Sequence, residues 1–313
     1  MVEDNEIKAT VSPFAVREGE IKVFDGKDGY VSMNQIIHRI NIGHINDLHF
    51  AVIELMNEFE FLTSRQLLQM LEWKKIDVGS QDKLNNKLEQ MVKTKILTRY
   101  YFDSEDGKGI YRIYCLEKMG KYLLNSRGVE CKWQPTDNTK PVAMIKKRLS
   151  GNQTMIAYLR KVKAFDSYTP KPAFTAKQTG KTFKASGGSV KLTKNNKSIE
   201  FVFEVIRREE EWEKKLIDKM KMYKDFYENF QVGDSGYMSL PQLILICEDE
   251  KHMAESFKVI IMNQLEISKI KLYFTTDLRQ NEETLEKTLV EFRLDKETQK
   301  YKIENIEVKL LGI

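Results

Sequence analysis

The feature that most constrains the fold is a succession of helical and strand patterns within residues 45–116. Apolar side chains recur three times at the spacing of an amphipathic helix, and Thr63 and Ser80 stand where the N-caps of the second and third helices belong. Two aromatic segments, 97–102 and 110–116, then flank a turn rich in Asp and Gly, which favours a β-hairpin. The sequence therefore predicts three helices and a hairpin in close succession.

This order of elements is typical of a winged helix-turn-helix domain, in which the third helix enters the DNA major groove and the hairpin forms the wing. The segment EKMGKYLLNSRG that follows reads as a closing helix ending at Gly128. We therefore predict a winged-helix domain over residues 45–128 that binds double-stranded DNA. The alternative is that the same fold mediates dimerisation or protein contact with a solvated polar face, and a homodimer fits either interpretation.

The third helix, which begins after Ser80, carries amide and lysine side chains opposite its apolar face. Lysines neutralise phosphates, and Asn or Gln can pair with an adenine edge through two hydrogen bonds. The hairpin adds basic side chains on its strands and at its tip, where they can reach phosphates or the minor groove. The predicted DNA contacts on the helix and the hairpin are Lys83, Asn85, Asn86, Lys87, Gln90, Lys93, Arg99, Lys108 and Arg112.

Basic residues are concentrated in one part of the chain. Between residues 129 and 198, fifteen Lys or Arg stand against three acids, a balance of +12, which leaves −7 for the rest of a chain whose net charge is +5. Such asymmetry indicates one surface that meets a polyanion. We predict that residues 129–170 form a basic linker and a helical segment in two pieces around Ser150–Gly151. Its predicted phosphate contacts are Lys146, Lys147 and Arg148, with Arg160, Lys161 and Lys163 on the same surface, and the alternative is a solvated connector without a partner.

The length of 313 residues exceeds what one hydrophobic core usually holds, so two domains with connectors are expected, preceded by an N-terminal extension over residues 1–44. The chain has no apolar run of about 18 residues, and its first residues lack a secretory pattern. Its three dispersed cysteines without CxxC spacing fit reduced thiols. We therefore expect a cytoplasmic protein without membrane contact.

Strand and helix patterns alternate within residues 171–313. A hairpin with a long second strand, SVKLTKNNKSIEFVFEVI, precedes a helix and the unbroken apolar strand PQLILIC, which implies an α/β layer with parallel pairing. A last helix is predicted over residues 281–294 and a terminal strand over residues 306–312. This order resembles the restriction-endonuclease-like fold. The predicted fold class is therefore α+β or α/β, with a winged helix followed by an endonuclease-like α/β domain.

Metal-dependent nucleases of the PD-(D/E)xK type need an acid on one strand and an Asp/Glu-x-Lys tripeptide on the next, which hold Mg²⁺ and activate water. Here the tripeptide is Glu204-Val205-Ile206, and the preceding segment SGGSVKL has no Asp. We therefore predict a non-catalytic scaffold with no catalytic residue, no metal ion and no cofactor. The residues of the alternative, an active nuclease, are Glu200, Glu204 and Glu209 as metal ligands and Lys214 or Lys215 as a displaced lysine.

The segment FVFEVIRREEEWEKKLIDKMKMYKDFY combines a strand-borne Glu204, a charged turn and a lysine-rich helix. Together with the winged helix, it resembles the replication-relaxation family of plasmids and integrative elements of Gram-positive bacteria over residues 45–250. The family's Pro-Asp and Glu-Val-Asp motifs read Ser-Gly-Gly and Glu204-Val205-Ile206 here. The resemblance implies a DNA-binding accessory protein of plasmid replication, relaxation or conjugative transfer, with a relaxase or replication protein as partner. A winged-helix transcriptional regulator is a variant that the residues leave open.

Overall fold

The computed structural model describes residues 11–104, 111–131, 133–281, 284–294 and 301–306. It contains both helices and sheets, which confirms a mixed α+β class. Within those ranges, no helix combines the length and the apolar composition needed to cross a membrane. The chain divides into two compact units. Residues 16–156 form the first, which we call the helical unit, and the described parts of 1–15 and 157–313 form the second, which we call the sheet unit.

The helical unit consists of helices and one small antiparallel sheet with the strand order β1-β3-β4-β2. Its elements are β1 (Ile21–Phe24), α1 (Met33–Asn41), α2 (Asp47–Phe59), β2 (Leu62–Thr63), α3 (Ser64–Trp73), α4 (Gln81–Lys93), β3 (Leu97–Asp103), β4 (Arg112–Leu116), α5 (Lys118–Ser126) and, as far as residue 156, α6 (Val142–Lys161). The three predicted helices and the two hairpin strands are therefore present. The predicted hairpin turn, residues 105–110, lies outside the described residues.

Side-chain caps fix the starts of α3 and α4. Thr63 Oγ1 accepts a hydrogen bond from the backbone N–H of Gln66 at 3.2 Å, and Gln66 Oε1 accepts one from the N–H of Thr63 at 3.1 Å. Ser80 Oγ accepts from the N–H of Lys83 at 3.2 Å. Each bond satisfies a backbone donor that has no partner within its helix. Both N-cap predictions are confirmed.

The helix α6 is continuous over 20 residues, so the prediction of two pieces around Ser150–Gly151 is wrong. Buried hydrogen bonds hold its middle part. Asn152 Nδ2 donates to the carbonyl oxygen of Phe61 at 2.9 Å, and Gln66 Nε2 donates to the carbonyl oxygen of Leu149 at 2.8 Å. These tertiary contacts and the burial of Ser150 and Gly151 outweigh the low helix propensity of Ser and Gly.

The sheet unit is built around a seven-stranded sheet with the order β13-β12-β11-β10-β9-β8-β5. Its elements are β5 (Phe165–Thr169), β6 (Ala173–Thr175), β7 (Thr182–Lys184), β8 (Ser189–Lys194), β9 (Lys197–Val205), α7 (Trp212–Glu228), β10 (Gln242–Cys247), α8 (Glu250–Met262), β11 (Leu272–Thr276), β12 (Leu289–Leu294) and β13 (Tyr301–Ile306). The strands β9, β10 and β11 run parallel, which confirms the predicted parallel pairing, and the other pairs are antiparallel.

The core of the sheet unit includes the buried apolar residues of β9, β10, α7 and α8. Aromatic rings extend it to the small hairpin β6-β7. Phe174 of β6 contacts Phe226 of α7 with ring centroids 5.0 Å apart, and it stacks on Tyr237 at 5.6 Å. The segment that carries Glu204 is therefore covered by α7 on one face of the sheet.

The predicted last helix over residues 281–294 is wrong, because Leu289–Leu294 form the strand β12. Val290 is fully buried and pairs with Phe274 of β11, while the ring of Phe292 stacks on Phe257 with centroids 4.0 Å apart. Packing on the sheet edge therefore overrides the helical spacing of the sequence. The predicted terminal strand, 306–312, lies outside the described residues except for Ile306, the end of β13.

Candidate nucleic-acid interface

The outer face of α4 carries amide and lysine side chains, with the exposed Asp82 in its first turn. Its exposed residues are Lys83, Asn85, Asn86, Gln90 and Lys93, with Lys87 half-buried beside them. The opposite face is buried and consists of Leu84, Leu88, Met91 and Val92. The prediction that the polar side chains point away from the apolar face is confirmed. Within the described ranges, the side chains of Asn86 and Gln90 make no hydrogen bond, so their amide groups are available to a partner.

The contacts that α4 does make on this face are weak and exposed. Gln81 Nε2 donates to Asn85 Oδ1 at 3.1 Å, and the ammonium group of Lys93 lies 3.6 Å from a carboxylate oxygen of Glu89. Exposed pairs of this kind contribute about 0.5 kcal/mol or less, so a ligand can replace them at little cost. The face can therefore offer amides to base edges and ammonium groups to phosphates.

Ion pairs join α4 to the hairpin through Arg99. The side chain of Arg99 is only 7% exposed, its Nη1 lies 2.6 Å from Glu89 Oε2, and its Nε lies 2.8 Å from Asp25 Oδ2. Burial opposes the charge of Arg99, but hydrogen bonds with Glu89, Tyr114 and Asp25 raise its pKa above the ordinary value. Arg99 therefore fixes the position of α4 against β3, and its burial leaves no phosphate contact to propose for it.

Glu89 is the acid on α4 that meets this arginine. Burial raises the pKa of its carboxyl group, but the hydrogen bond from Arg99 and the charges of Arg99, Lys93 and Lys27 lower it further, so the pKa of Glu89 lies below its usual value. Glu89 is therefore ionised in the folded chain, and its closest contact is with Arg99 at 2.6 Å, while the exposed Lys93 lies 3.6 Å away.

Arg112 on β4 is the exposed basic side chain of the hairpin, with 60% of its side chain accessible. Its Nε lies 3.1 Å from Asp25 Oδ2, the same oxygen atom that binds Arg99. A groove of about 560 Å³ lies beside this pair, lined among others by Ser64 at the start of α3 and Asn85 of α4. Lys108, the predicted contact at the hairpin tip, lies outside the described residues.

The predicted phosphate contacts on α6 are engaged inside the helical unit. The side chain of Lys146 is 2% exposed, and its ammonium group lies 2.6 and 2.5 Å from the two carboxylate oxygens of Glu20. Arg148 Nε lies 3.2 Å from Glu60 Oε2, and Lys147 is half-buried. The burial of Lys146 and the ion pair of Arg148 give both residues a structural role, so we leave them out of the interface proposed below.

In the sheet unit, Glu204 is buried and its carboxylate accepts several hydrogen bonds. Ser186 Oγ donates to Glu204 Oε1 at 2.8 Å, and Tyr223 OH donates to Glu204 Oε2 at 2.8 Å. The ammonium group of Lys219 lies 3.8 Å from the same Oε2. Burial and the adjacent Glu204 carboxylate raise the pKa of Tyr223 well above its usual value, so the phenol remains a donor. These contacts connect β9 to α7 and to residue 186.

Glu209 and the two predicted lysines of the nuclease alternative pair with residues other than Glu204. Glu209 lies 2.8 Å from Lys215, and Lys214 lies 3.4 Å from Glu211, so neither of the two predicted lysines contacts Glu204. Lys219, one helical turn further along α7, takes that position. The described residues contain no group of three or more His, Cys, Asp or Glu side chains arranged to hold a metal ion.

A second charged cluster lies at the carboxyl ends of β9, β10 and β11. Arg207 is fully buried, and its Nη2 contacts both carboxylate oxygens of Asp277 at 3.0 and 2.8 Å. The half-buried neighbour Arg208 contacts Asp249 and Glu255. Ligands of α/β proteins often bind at this edge of a sheet. Here the opposite charges neutralise each other, so the cluster holds the three strand ends together.

Sequence reasoning missed Asp25, Glu20 and Glu60, the acids that neutralise the predicted contacts. Asp25 stands in the turn DGKDG, 74 residues before Arg99, and Glu20 stands 126 residues before Lys146. No local pattern connects residues so far apart. The one available signal was Glu89, the single acid amid the lysines and amides in the middle of α4.

Comparisons of the chain with protein-family models, with curated proteins and with solved structures find no match. The resemblance to the replication-relaxation family therefore stays a prediction from the sequence.

Proposed function

We propose that the chain is a non-enzymatic protein that binds duplex DNA through the outer face of α4. The observation that carries the proposal is this face itself, on which amides and lysines lie together, exposed and with few competing contacts. Arg99 and Glu89 hold the helix in place from its buried side. A rigid helix that presents such side chains has the chemistry needed for base and phosphate contacts.

The arrangement of the helical unit supports a winged helix-turn-helix assignment. The order α2, β2, α3, α4, β3, β4 contains three helices and a hairpin, and the short strand β2 pairs with β4 at the edge of the sheet. In such domains the third helix enters the major groove and the helix before it braces it. We therefore assign α4 as the recognition helix and β3-β4 as the wing.

Roles on α4 follow from the chemistry of each side chain. Asn86 and Gln90 are four residues apart on the outer face and make the base contacts of the proposal. Lys83 and Lys93, near the two ends of the helix, contact the phosphates on either side of the groove. Asn85 lines the groove beside Arg112 and contacts the backbone there.

We further propose that the sheet unit is an endonuclease-like scaffold that does not catalyse. Its order supports the assignment: three antiparallel strands, β5, β8 and β9, precede α7 and the parallel strand β10. The hydrogen bonds from Ser186 and Tyr223 occupy Glu204 in a structural role. The alternative of an active nuclease would use Lys219 beside Glu204 as its lysine.

The biological setting of the proposal rests on the family resemblance. It places the chain as an accessory protein of plasmid or mobile-element replication, relaxation or conjugative transfer, in which α4 recognises a site near the origin. A relaxase or replication protein is then the partner that acts on the DNA. A transcriptional regulator would use the same helix on an operator.

The test is binding of the purified chain to duplexes selected from a random pool, measured by fluorescence anisotropy. Wild type should enrich a sequence, and Asn86→Ala with Gln90→Ala should abolish the preference. Asn125→Ala, an exposed Asn on α5, is the matched control and should bind as wild type. Failure to bind any duplex at low salt would overturn the proposal.

The proposal that the sheet unit does not catalyse is tested by incubating the protein with supercoiled plasmid and Mg²⁺ or Mn²⁺ and measuring nicking. We expect no nicking by wild type. Nicking that disappears in Glu204→Gln would establish the nuclease alternative, while nicking that persists in this variant would indicate a contaminating enzyme.

A further inference from the structure

The groove beside α4 contains an acid where a DNA-binding surface would be expected to be purely basic. Asp25 directs one carboxylate oxygen at both Arg99 and Arg112, at 2.8 and 3.1 Å. Arg99 is also paired with Glu89 at 2.6 Å, so two carboxylates face two guanidinium groups and little positive charge is left on Arg112. The exposed arginine of the hairpin therefore carries a carboxylate in the position that a phosphate oxygen would take.

The position of the Asp25–Arg112 pair beside α4 matters for the binding of DNA. Asp25, Arg112 and Asn85 line the same groove, next to the first residue of α3. A DNA strand that runs along the outer face of α4 passes this groove with its phosphates. Those phosphates meet a neutral pair instead of a free guanidinium group, and the carboxylate repels them.

We propose that Asp25 is a specificity-determining residue, which withholds Arg112 from backbone phosphates and so limits binding to random DNA. The inference rests on the proposed function. Because phosphate contacts are independent of sequence, removing one lowers affinity for all DNA alike. Affinity for the cognate site then depends on the base contacts of α4, and the ratio of cognate to random binding increases.

The experiment measures the affinity of the full chain for a selected duplex and for a random duplex of equal length, across a series of salt concentrations. In Asp25→Asn the freed Arg112 should gain a phosphate contact. Affinity for random DNA should rise about fivefold to tenfold, and the slope of log K against log salt should steepen by about 0.9. The cognate-to-random ratio should fall.

Asp28→Asn is the matched control, because Asp28 lies in the same turn, is exposed, and makes no ion pair in the described part of the chain. Asp28→Asn changes the net charge by the same amount as Asp25→Asn, so it should reproduce only the general increase in electrostatic attraction to DNA. An equal response of Asp25→Asn and Asp28→Asn would overturn the inference.

Arg112→Gln keeps the test decisive if Asp25→Asn does not fold. Because Asp25 already neutralises Arg112, this substitution in wild type should leave the salt slope unchanged, and in the Asp25→Asn background it should cancel the gain. A slope that falls by about 0.9 in Arg112→Gln alone would show that Arg112 contacts phosphate freely and would overturn the inference. Absence of binding by every variant would instead count against DNA binding itself.

Discussion

The helices α4 and α6 have similar basic composition but use it in opposite ways. On α4, Lys83 and Lys93 are exposed and lie on one face with the amides. On α6, Lys146 is buried against Glu20 and Arg148 lies against Glu60. The first helix therefore presents its charge to a ligand, and the second uses it to hold the helical unit together.

The comparison shows why a count of charges does not identify a binding surface. The segment 129–198 has a balance of +12, yet Lys146 and Arg148 of α6 meet acids from distant parts of the chain. The more modest charge of α4 remains available because its neighbouring acid, Glu89, makes its close contact with the buried Arg99 at 2.6 Å and lies 3.6 Å from Lys93.

The largest expected effect is on the stability of the helical unit in Lys146→Ala. Removing the ammonium group leaves the buried carboxylate of Glu20 without its partner, which should lower the free energy of unfolding by about 3 to 5 kcal/mol. Urea denaturation measures this loss of unfolding free energy. The double variant Lys146→Met with Glu20→Gln is the control and should recover most of the loss, because no charge remains buried. A small loss of stability in Lys146→Ala would mean that Lys146 is as available to a ligand as the lysines of α4.

The second effect is a pH dependence of stability from His49 on α2. Burial, with the charge of Lys87 on α4, lowers the pKa of His49 from 6.5 to about 4. The unfolded chain therefore binds a proton that the folded chain does not, and stability should fall as the pH drops from about 6.5 to about 4. The loss should be about 2 to 3 kcal/mol after allowance for solvent screening.

A matched variant isolates the histidine. In the folded chain His49 Nδ1 accepts from the N–H of Asn46 at 3.2 Å, as the third residue of a capping box. Gln is a usual residue at that position and does not titrate, so His49→Gln should flatten the profile between pH 4 and 6.5. Thermal melting across this range is the measurement. An unchanged profile would assign the pH dependence to other groups.

The third effect is on sequence recognition by α4. Asn86→Ala and Gln90→Ala should each cost about 1 to 3 kcal/mol on the selected site and little on random duplex, because only base contacts distinguish the two. Melting temperatures should stay unchanged, since both side chains are exposed. Equal losses on both duplexes would make α4 a non-specific contact.

The smallest effect is expected for Lys93→Ala. Its contact with Glu89 at 3.6 Å is exposed, so stability should change by less than about 0.5 kcal/mol. If Lys93 binds a phosphate, the slope of log K against log salt should decrease in magnitude by about 0.9 on every duplex. Lys251→Ala, an exposed lysine on α8 in the sheet unit, is the control and should leave the slope unchanged.

The sequence was sufficient for the elements whose signals are local. Helices α2 to α4 are predicted by apolar spacing, and the starts of α3 and α4 are predicted by Thr63 and Ser80. The strand β10 is predicted by an unbroken apolar run. The outer face of α4 follows from the same spacing, because burying Leu84 and Leu88 determines where Asn86 and Gln90 point.

Features that depend on distant residues could not be predicted in this way. The continuity of α6 depends on Asn152 and Gln66, which bind backbone oxygens elsewhere in the unit. The strand β12 forms because Val290 and Phe292 find partners on the sheet, although Leu285, Leu289 and Phe292 also recur at helical spacing. The roles of Arg99 and Lys146 depend on acids 74 and 126 residues away.

The most direct test of DNA binding by the outer face of α4 is a lysine-reactivity footprint of the full chain. The footprint is measured by mass spectrometry with and without the selected duplex. Lys83 and Lys93 on α4 should be acylated readily in the free protein and protected by DNA. Lys146 should be unreactive in both states, and the exposed Lys214 and Lys251 of the sheet unit should react equally in both. Protection of Lys214 and Lys251, with Lys83 and Lys93 unprotected, would contradict the account.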